Sequence, residues 1–229
     1  MLATSLKRFF LARTTIEAQL YPALELPVRF RTFTPNDYEP CVSIYRQNET
    51  GRFPPSVGKK FEAFLRNESQ NFIVAELDSH VAGFGGIHTL GPETAVLFYG
   101  MVAPELQRKR IGAMLTLLRL TQLPPQTAYF IFIFAVEASM NIYRRFGFIR
   151  TTEGWPDDEK KLHPVGVLRI SSRTLLKIRS TLARRHVQLN GNLSLQSSAQ
   201  RFCQIEQTPA GFRFEFGAGN TESRNTPPR

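Results

Sequence analysis

The chain has 229 residues, 42% hydrophobic and 21% charged, a composition that supports one sizeable folded body with extensions. Its longest nearly uninterrupted apolar run, 128–136, is too short to cross a bilayer, which takes about 20 residues; two cysteines, Cys41 and Cys203, are too few for a disulfide framework or a cysteine-based zinc site and fit a reducing, cytoplasmic location. The net charge of +10 is concentrated at one end. Residues 165–229 hold ten basic and three acidic side chains and residues 27–164 sixteen and fourteen, so the body is near neutral and does not read as a nucleic-acid coat.

In chain order, residues 1–26 place Leu6, Phe9, Phe10, Ile16 and Leu20 on a loose amphipathic period and predict a helical or frayed leader. Three basic groups and no acid in the first sixteen residues match a targeting peptide in composition alone. Residues 28–33 alternate as a short strand. Asn36 or Asp37 can cap a helix over 38–48, a Pro-rich loop fills 51–58, and 59–67 predict a second helix with Phe61, Phe64 and Leu65 inward. Strands at 71–77, 81–90 and 94–102, separated by turn residues, predict an antiparallel meander.

A helix follows over about 109–122, stopped by Pro124 and Pro125, and then an apolar strand at 128–136. A helix joining two apolar strands implies a parallel pair with a crossover, so the sheet is mixed. A short helix at 139–146 ends at Gly147, and late strands at 148–152 and 165–170 flank a polar loop. Residues 173–185 form a basic amphipathic helix, and 186–229, rich in Ser, Gln, Asn, Gly and Pro, are expected to be largely disordered.

Chemistry concentrates at 101–115. A strand ends, Pro104 breaks it, Arg108, Lys109 and Arg110 follow, and Gly112-Ala113 open an apolar helix. The first turn of a helix offers unpaired N–H groups and a positive dipole end, small residues admit a ligand, and the basic triplet adds charge: an anion site. The glycines of Gly83-Phe84-Gly85-Gly86 fall inside a strand pattern and point to close packing rather than a dinucleotide loop. His80, His88, His163 and His186 lack metal-ligand spacing, so no metal is expected.

Val102-x-Pro104-x-x-Gln107-x-x-Arg110-x-Gly112-Ala113 resembles the acetyl-coenzyme A motif of the GCN5-related N-acetyltransferase (GNAT) superfamily. Ser139 to Phe148, with Tyr143 four residues before Gly147-Phe148, is similar to that family's second element. Arg110 stands where the family usually has its first glycine. Val136 stands where many members place an asparagine, a role Asn141 could take over.

The resemblance implies a mixed α/β fold: a largely antiparallel sheet of six to seven strands with about four helices and a splay between 94–102 and 128–136. It covers an N-acetyltransferase domain over 27–172. It implies acetyl-coenzyme A as acyl donor, held by Met101, Val102, Gln107, Arg108, Lys109, Arg110, Ile111, Gly112, Ala113 and Asn141, with Tyr143 as general acid to the leaving thiolate and an amine acceptor of unspecified identity. His88, Glu93, Tyr99 and Glu137 are the candidates for general base. The acceptor site is expected from 45–65 and 153–164, where Phe53, Phe61, Phe64 and Trp155 suggest apolar walls. The alternative is a non-catalytic binding module of the same fold whose basic C-terminal helix contacts nucleic acid or protein; a homodimer is compatible with either.

Overall fold

The computed structural model describes residues 16–20, 22–49, 55–125, 127–156, 160–195, 203–208 and 211–216. The leader before residue 16, the loop at 51–54 with Phe53, and 157–159 lie outside the described residues, as do 196–202, 209–210 and 217–229 of the tail.

The elements run β1 (Arg29–Thr32), α1 (Tyr38–Glu49), α2 (Pro55–Glu68), β2 (Phe72–Leu77), β3 (His80–Gly91), β4 (Thr94–Val102), α3 (Ile111–Thr121), β5 (Tyr129–Phe134), α4 (Glu137–Arg144), β6 (Ile149–Pro156), β7 (Leu162–Ile170), α5 (Ser172–Arg184), β8 (Leu189–Asn190), β9 (Cys203–Thr208) and β10 (Gly211–Phe216). The main sheet has the order β6-β7-β5-β4-β3-β2-β1-β8, and β9–β10 form a separate hairpin. Pairing is antiparallel except for β4–β5 and the two-residue β1–β8 contact. The sheet is thus mixed, and the crossover through α3 makes its one long parallel pair.

Alternation along the strands sends side chains to two faces. On one, Ile73, Ile87, Leu97, Ile131, Ile133, Leu168 and Ile170 are buried against Met114, Leu115 and Leu118 of α3, Met140 of α4 and Leu175, Ile178 and Leu182 of α5. Ile16 and Leu20, in the helical stretch 16–20, join that core. On the other face, Cys41, Val42 and Tyr45 of α1 and Phe61 and Leu65 of α2 pack on Phe72, Val74 and Phe84. Burying each such side chain stabilises the fold by roughly 1.5–3 kcal/mol before the entropy of ordering it is counted.

The turn that leads into α1 is fixed by Asp37. Its carboxylate accepts from the Thr34 N–H (2.7 Å), the Thr34 hydroxyl (2.9 Å) and both terminal nitrogens of Arg31 (2.6 and 2.8 Å). Burial raises this carboxyl, but the Arg31 and Thr34 hydrogen bonds outweigh it and hold it below the ordinary aspartate range.

The C-terminal region departs from the sequence expectation of a largely disordered tail. It contains β8 and the β9–β10 hairpin, which lays Phe212 and Phe214 edge-on to Phe130, Phe132 and Phe134 of β5. The alternation of Phe212, Arg213 and Phe214 is only a few residues long, so the polar composition around it hides it. The basic helix α5 is part of the main core. Arg179 donates to the Thr121 and Leu123 carbonyls (2.8 and 2.7 Å), Lys177 pairs with Glu17 (2.8 Å), and Arg185 donates to the Leu20 carbonyl. Much of the charge that suggested an outside partner is therefore engaged within the fold.

Candidate functional site

Two interruptions of the sheet build the site. β4 pairs with β5 only through Thr94–Leu97 against Phe130–Ile133, so β4 has no β5 partner beyond Leu97. The β3–β4 register also shifts, from Gly86↔Phe98 to Phe84↔Met101, so two residues of β4, Tyr99 and Gly100, oppose the single Gly85. This is a β-bulge, and Tyr99 takes the left-handed conformation (φ 44°) within it. The Ala103 N–H donates to Ala82 (2.9 Å), so by ladder alternation Val102 turns its backbone groups away from β3, toward the splay. The carbonyl of Val102 accepts from Asn48 Nδ2 (3.1 Å) and Gln107 Nε2 (3.3 Å), and Gln107 also donates to Asn48 Oδ1 (2.9 Å). Met101 is half-buried, beside the helices α1 and α2.

Between β4 and α3, Arg108 (φ 65°) and Arg110 (φ 70°) are both left-handed. Alternating conformations of this kind turn successive amides to one side, as in anion-binding nests. Arg110 is the N-cap of α3 and caps nothing with its side chain; the first helical bond runs from the Met114 N–H to the Arg110 carbonyl (3.0 Å). No hydrogen bond among the described residues claims the amides of 108–113. Gly112 is exposed, Ala113 half-buried, and Ile111 puts its side chain in the core and offers only backbone.

Arg108 and Lys109 are exposed, and Lys109 approaches Glu25 at 3.7 Å. Arg110 turns aside, donating to the Gln19 carbonyl (2.8 Å) and Gln19 Oε1 (3.3 Å), with its Nε buried and without an acceptor among the described residues. Its place in the family motif is thus explained by conformation. A left-handed residue there favours glycine, and this chain uses an arginine whose side chain ties down the N-terminal segment.

Tyr143 is half-buried on α4, its ring edge-on to Phe148 (5.3 Å). A Cβ on Gly100 would stand 3.1 Å from the Tyr143 hydroxyl and 3.0 Å from Arg119 Nη2, so the phenol reaches the bulge from the splayed side. Asn141 is exposed, and its Oδ1 accepts from Arg144 (3.1 Å), three residues along the same helix; the structure does not bring its side chain to the bulge.

The candidate bases are dispersed. Glu137 is exposed and paired with Arg150 (2.9 Å), and exposed Glu93 accepts from Thr127 (3.2 Å). His88 is 2% exposed, stacked on Phe98 (4.3 Å), and burial lowers its pKa to about 4. Burial pushes the Tyr99 phenol up to about 12. Of the expected apolar walls, Phe61 is core, wholly buried between Tyr45 and Phe84. Phe64 meets Phe98 and Tyr99, and Trp155 donates to the Ala135 carbonyl (3.3 Å).

Three contributors escaped the sequence reading: Asn48, Gly100 and Arg119. The run Gly83–Gly86 was their only trace. A Cβ on Gly85 would lie 3.0 Å from the Arg119 guanidinium, so that glycine marks a guest between the strand and α3. Among the described residues no cluster of His, Cys, Asp and Glu could hold a metal, and no helix is long and apolar enough to cross a membrane.

A mixed sheet opened between two parallel strands, with unclaimed amides at the start of the next helix, sets an anion-binding turn beside a free strand edge. The model of the acetyltransferase (GNAT) family matches residues 38–148, from the start of α1 to just past α4, and over this span the chain is similar to that family. The fold is similar to that of Ard1 from Thermoplasma volcanium (17% identity, TM-score 0.52, covering 63% of this chain and 99% of that one). It is also similar to that of an acetyltransferase of the GNAT family from Staphylococcus aureus Mu50 (15% identity, TM-score 0.50, covering 62% and 98%). No curated protein matches the chain.

Proposed function

We propose that the protein transfers the acetyl group of acetyl-coenzyme A to a primary amine by direct attack on the thioester. The observation that supports this reading is proximity around the end of β4 that lacks a β5 partner: a Cβ on Gly112, among the unclaimed amides of 108–113, would lie 3.5 Å from Val102 Cγ2, and one on Gly100 would lie 3.1 Å from the Tyr143 hydroxyl. The amides of Arg108 to Ala113 bind the diphosphate, with Arg108 and Lys109 adding charge from the surface. Val102 offers its backbone to the pantetheine arm as a strand edge would, with its N–H facing the oxygen of the tetrahedral intermediate, whereas the Met101 backbone turns toward β3 by the same alternation and drops out of that role. Gln107 acts indirectly, by fixing the Val102 carbonyl together with Asn48.

The amine attacks as a neutral nucleophile and its proton leaves to water. The carbon–sulfur bond breaks, and Tyr143 gives its proton to the thiolate. The acceptor approaches from the face of the sheet that carries α1 and α2, where Phe64 and Phe98 form one wall and Trp155 another.

Two measurements test the reading. Acetyl-coenzyme A raises the melting temperature, and a panel of primary amines releases free thiol. Tyr143→Phe then lowers turnover far more than coenzyme A affinity. Binding with no turnover on any amine would favour a coenzyme A-binding module instead, and equal loss of turnover and affinity would remove Tyr143 from the acid's role.

A further inference from the structure

Arg119 lies in the last turn of α3 and is 1% exposed, which makes it the largest fully buried side chain among the described residues. All its acceptors are neutral. Nε donates to the Leu115 carbonyl (3.2 Å), Nη1 to the Gly86 and Phe98 carbonyls (3.3 and 3.4 Å) and Nη2 to the Thr116 hydroxyl (3.1 Å). Among the described residues no carboxylate accompanies it, and one N–H of Nη2 has no acceptor. A buried cation without a counter-charge is costly and persists where something else requires it.

The fold makes room for this cation deliberately. Gly85 on β3 and Gly100 on β4 leave the slot the guanidinium fills, since a Cβ at either would stand 3.0 Å from it. The two carbonyls that Nη1 holds belong to Gly86 and Phe98, the pair at which the β3–β4 register breaks. The guanidinium therefore sits directly behind the bulge. Its Nη2, the atom with the spare N–H, and the Tyr143 hydroxyl flank one spot on Gly100, at 3.0 and 3.1 Å from a Cβ placed there, so their separation cannot exceed the sum of those two distances.

Thioester cleavage creates negative charge at this place. The carbon–sulfur electron pair goes to sulfur, the Tyr143 proton follows it, and the charge rests on the phenol oxygen until water returns a proton. We propose that Arg119 is the built-in counter-charge for that sequence, a positioning residue that stabilises the thiolate and the Tyr143 phenolate across Gly100. The proposal rests on the acetyl-transfer reading above. It also accounts for the missing carboxylate: a permanent partner would cancel the field the reaction uses.

The test follows the thiol of bound coenzyme A by thiolate ultraviolet absorbance across a pH series, with the protein alone as reference. Wild type should ionise bound coenzyme A at a lower pH than R119M, by about one pH unit or more, a tenfold change in the ionisation constant. R119K should restore most of the shift, and Tyr143→Phe should retain it. Coenzyme A affinity of R119M, measured by calorimetry at a pH where the thiol is neutral, should stay within about threefold, because the diphosphate grip is remote. A residue that merely braced the bulge would alter affinity and leave the ionisation midpoint in place, so equal midpoints in wild type and R119M overturn the proposal. If R119M does not fold, an unshifted midpoint between free coenzyme A and coenzyme A bound to wild type overturns it equally. Failure of wild type to bind coenzyme A at all would instead remove the acetyl-transfer reading, and this proposal with it.

Discussion

Gly100 and Tyr143 meet at the mouth of the splay: the position of a Cβ on Gly100 is 3.1 Å from the Tyr143 hydroxyl and 3.0 Å from Arg119 Nη2. A strand residue and a helix residue 43 positions later in sequence thus share one small volume. Gly100→Ala puts a methyl group into it. We expect at least a tenfold loss of turnover, since the methyl displaces the phenol or the guanidinium from a site that tolerates little misplacement. Stability should fall by only about 1–2 kcal/mol, because Gly100 is solvent-exposed and the displaced groups are side-chain ends. Steady-state kinetics beside thermal melts check this; unchanged kinetics would mean that the reaction does not pass Gly100.

Arg108 and Lys109 are both exposed at the opening of α3. Arg108→Ala combined with Lys109→Ala should weaken coenzyme A binding about tenfold at low salt, with the difference shrinking as salt is raised. Calorimetric titrations at two ionic strengths decide it. Affinity equal to wild type at both would show that the pair is only solvated.

Arg110→Gly separates backbone from side chain. Glycine relieves the left-handed strain, worth about 1 kcal/mol, and removes both hydrogen bonds to Gln19. Coenzyme A affinity should hold within about threefold, while residues 16–28 should become more susceptible to limited proteolysis. Loss of affinity without faster cleavage would reassign the Arg110 side chain to the ligand.

His88 governs an acid limb of stability. Burial lowers its pKa from 6.5 to about 4, so between those values the unfolded chain binds a proton that the folded one does not. Stability is therefore complete above about 6.5 and declines as pH falls toward 4, by at most about 1.4 kcal/mol per unit from this group. Urea titrations of wild type and His88→Gln over that window should give a shallower slope for the variant. Parallel slopes would show that His88 titrates normally. The same burial keeps His88 neutral near pH 7, so it adds no activity limb at that pH.

How far the sequence could be read follows from what kind of pattern each feature leaves. The helices α1, α3 and α5 show as periodicity because each buries one face, and the strands from β2 to β7 show as short apolar runs bounded by turn residues. The splay is legible only through the motif. Beyond Leu97, β4 keeps its β3 partner and loses only β5, and nothing in Phe98 to Val102 announces that β5 turns away. The opening of α3 shows as Gly112-Ala113 after three basic residues, yet the left-handed turns at Arg108 and Arg110 do not show, because arginine is a poor marker of that conformation. Arg119 looks like an exposed arginine at the end of a helix; only the three-dimensional meeting of α3 with Gly85 and Gly100 puts it indoors. The hairpin β9–β10 was lost in a polar stretch where two phenylalanines, Phe212 and Phe214, carry the contact.

The central claim is that the amides opening α3 grip the diphosphate of coenzyme A and aim its thioester along β4 at Tyr143. Amide-resolved nuclear magnetic resonance of the labelled protein titrated with coenzyme A tests it most directly. The account predicts that the largest shift changes fall on the amides of 108–113 and of Tyr99 to Val102. Saturable binding that leaves both groups of amides unmoved and perturbs another surface would contradict it.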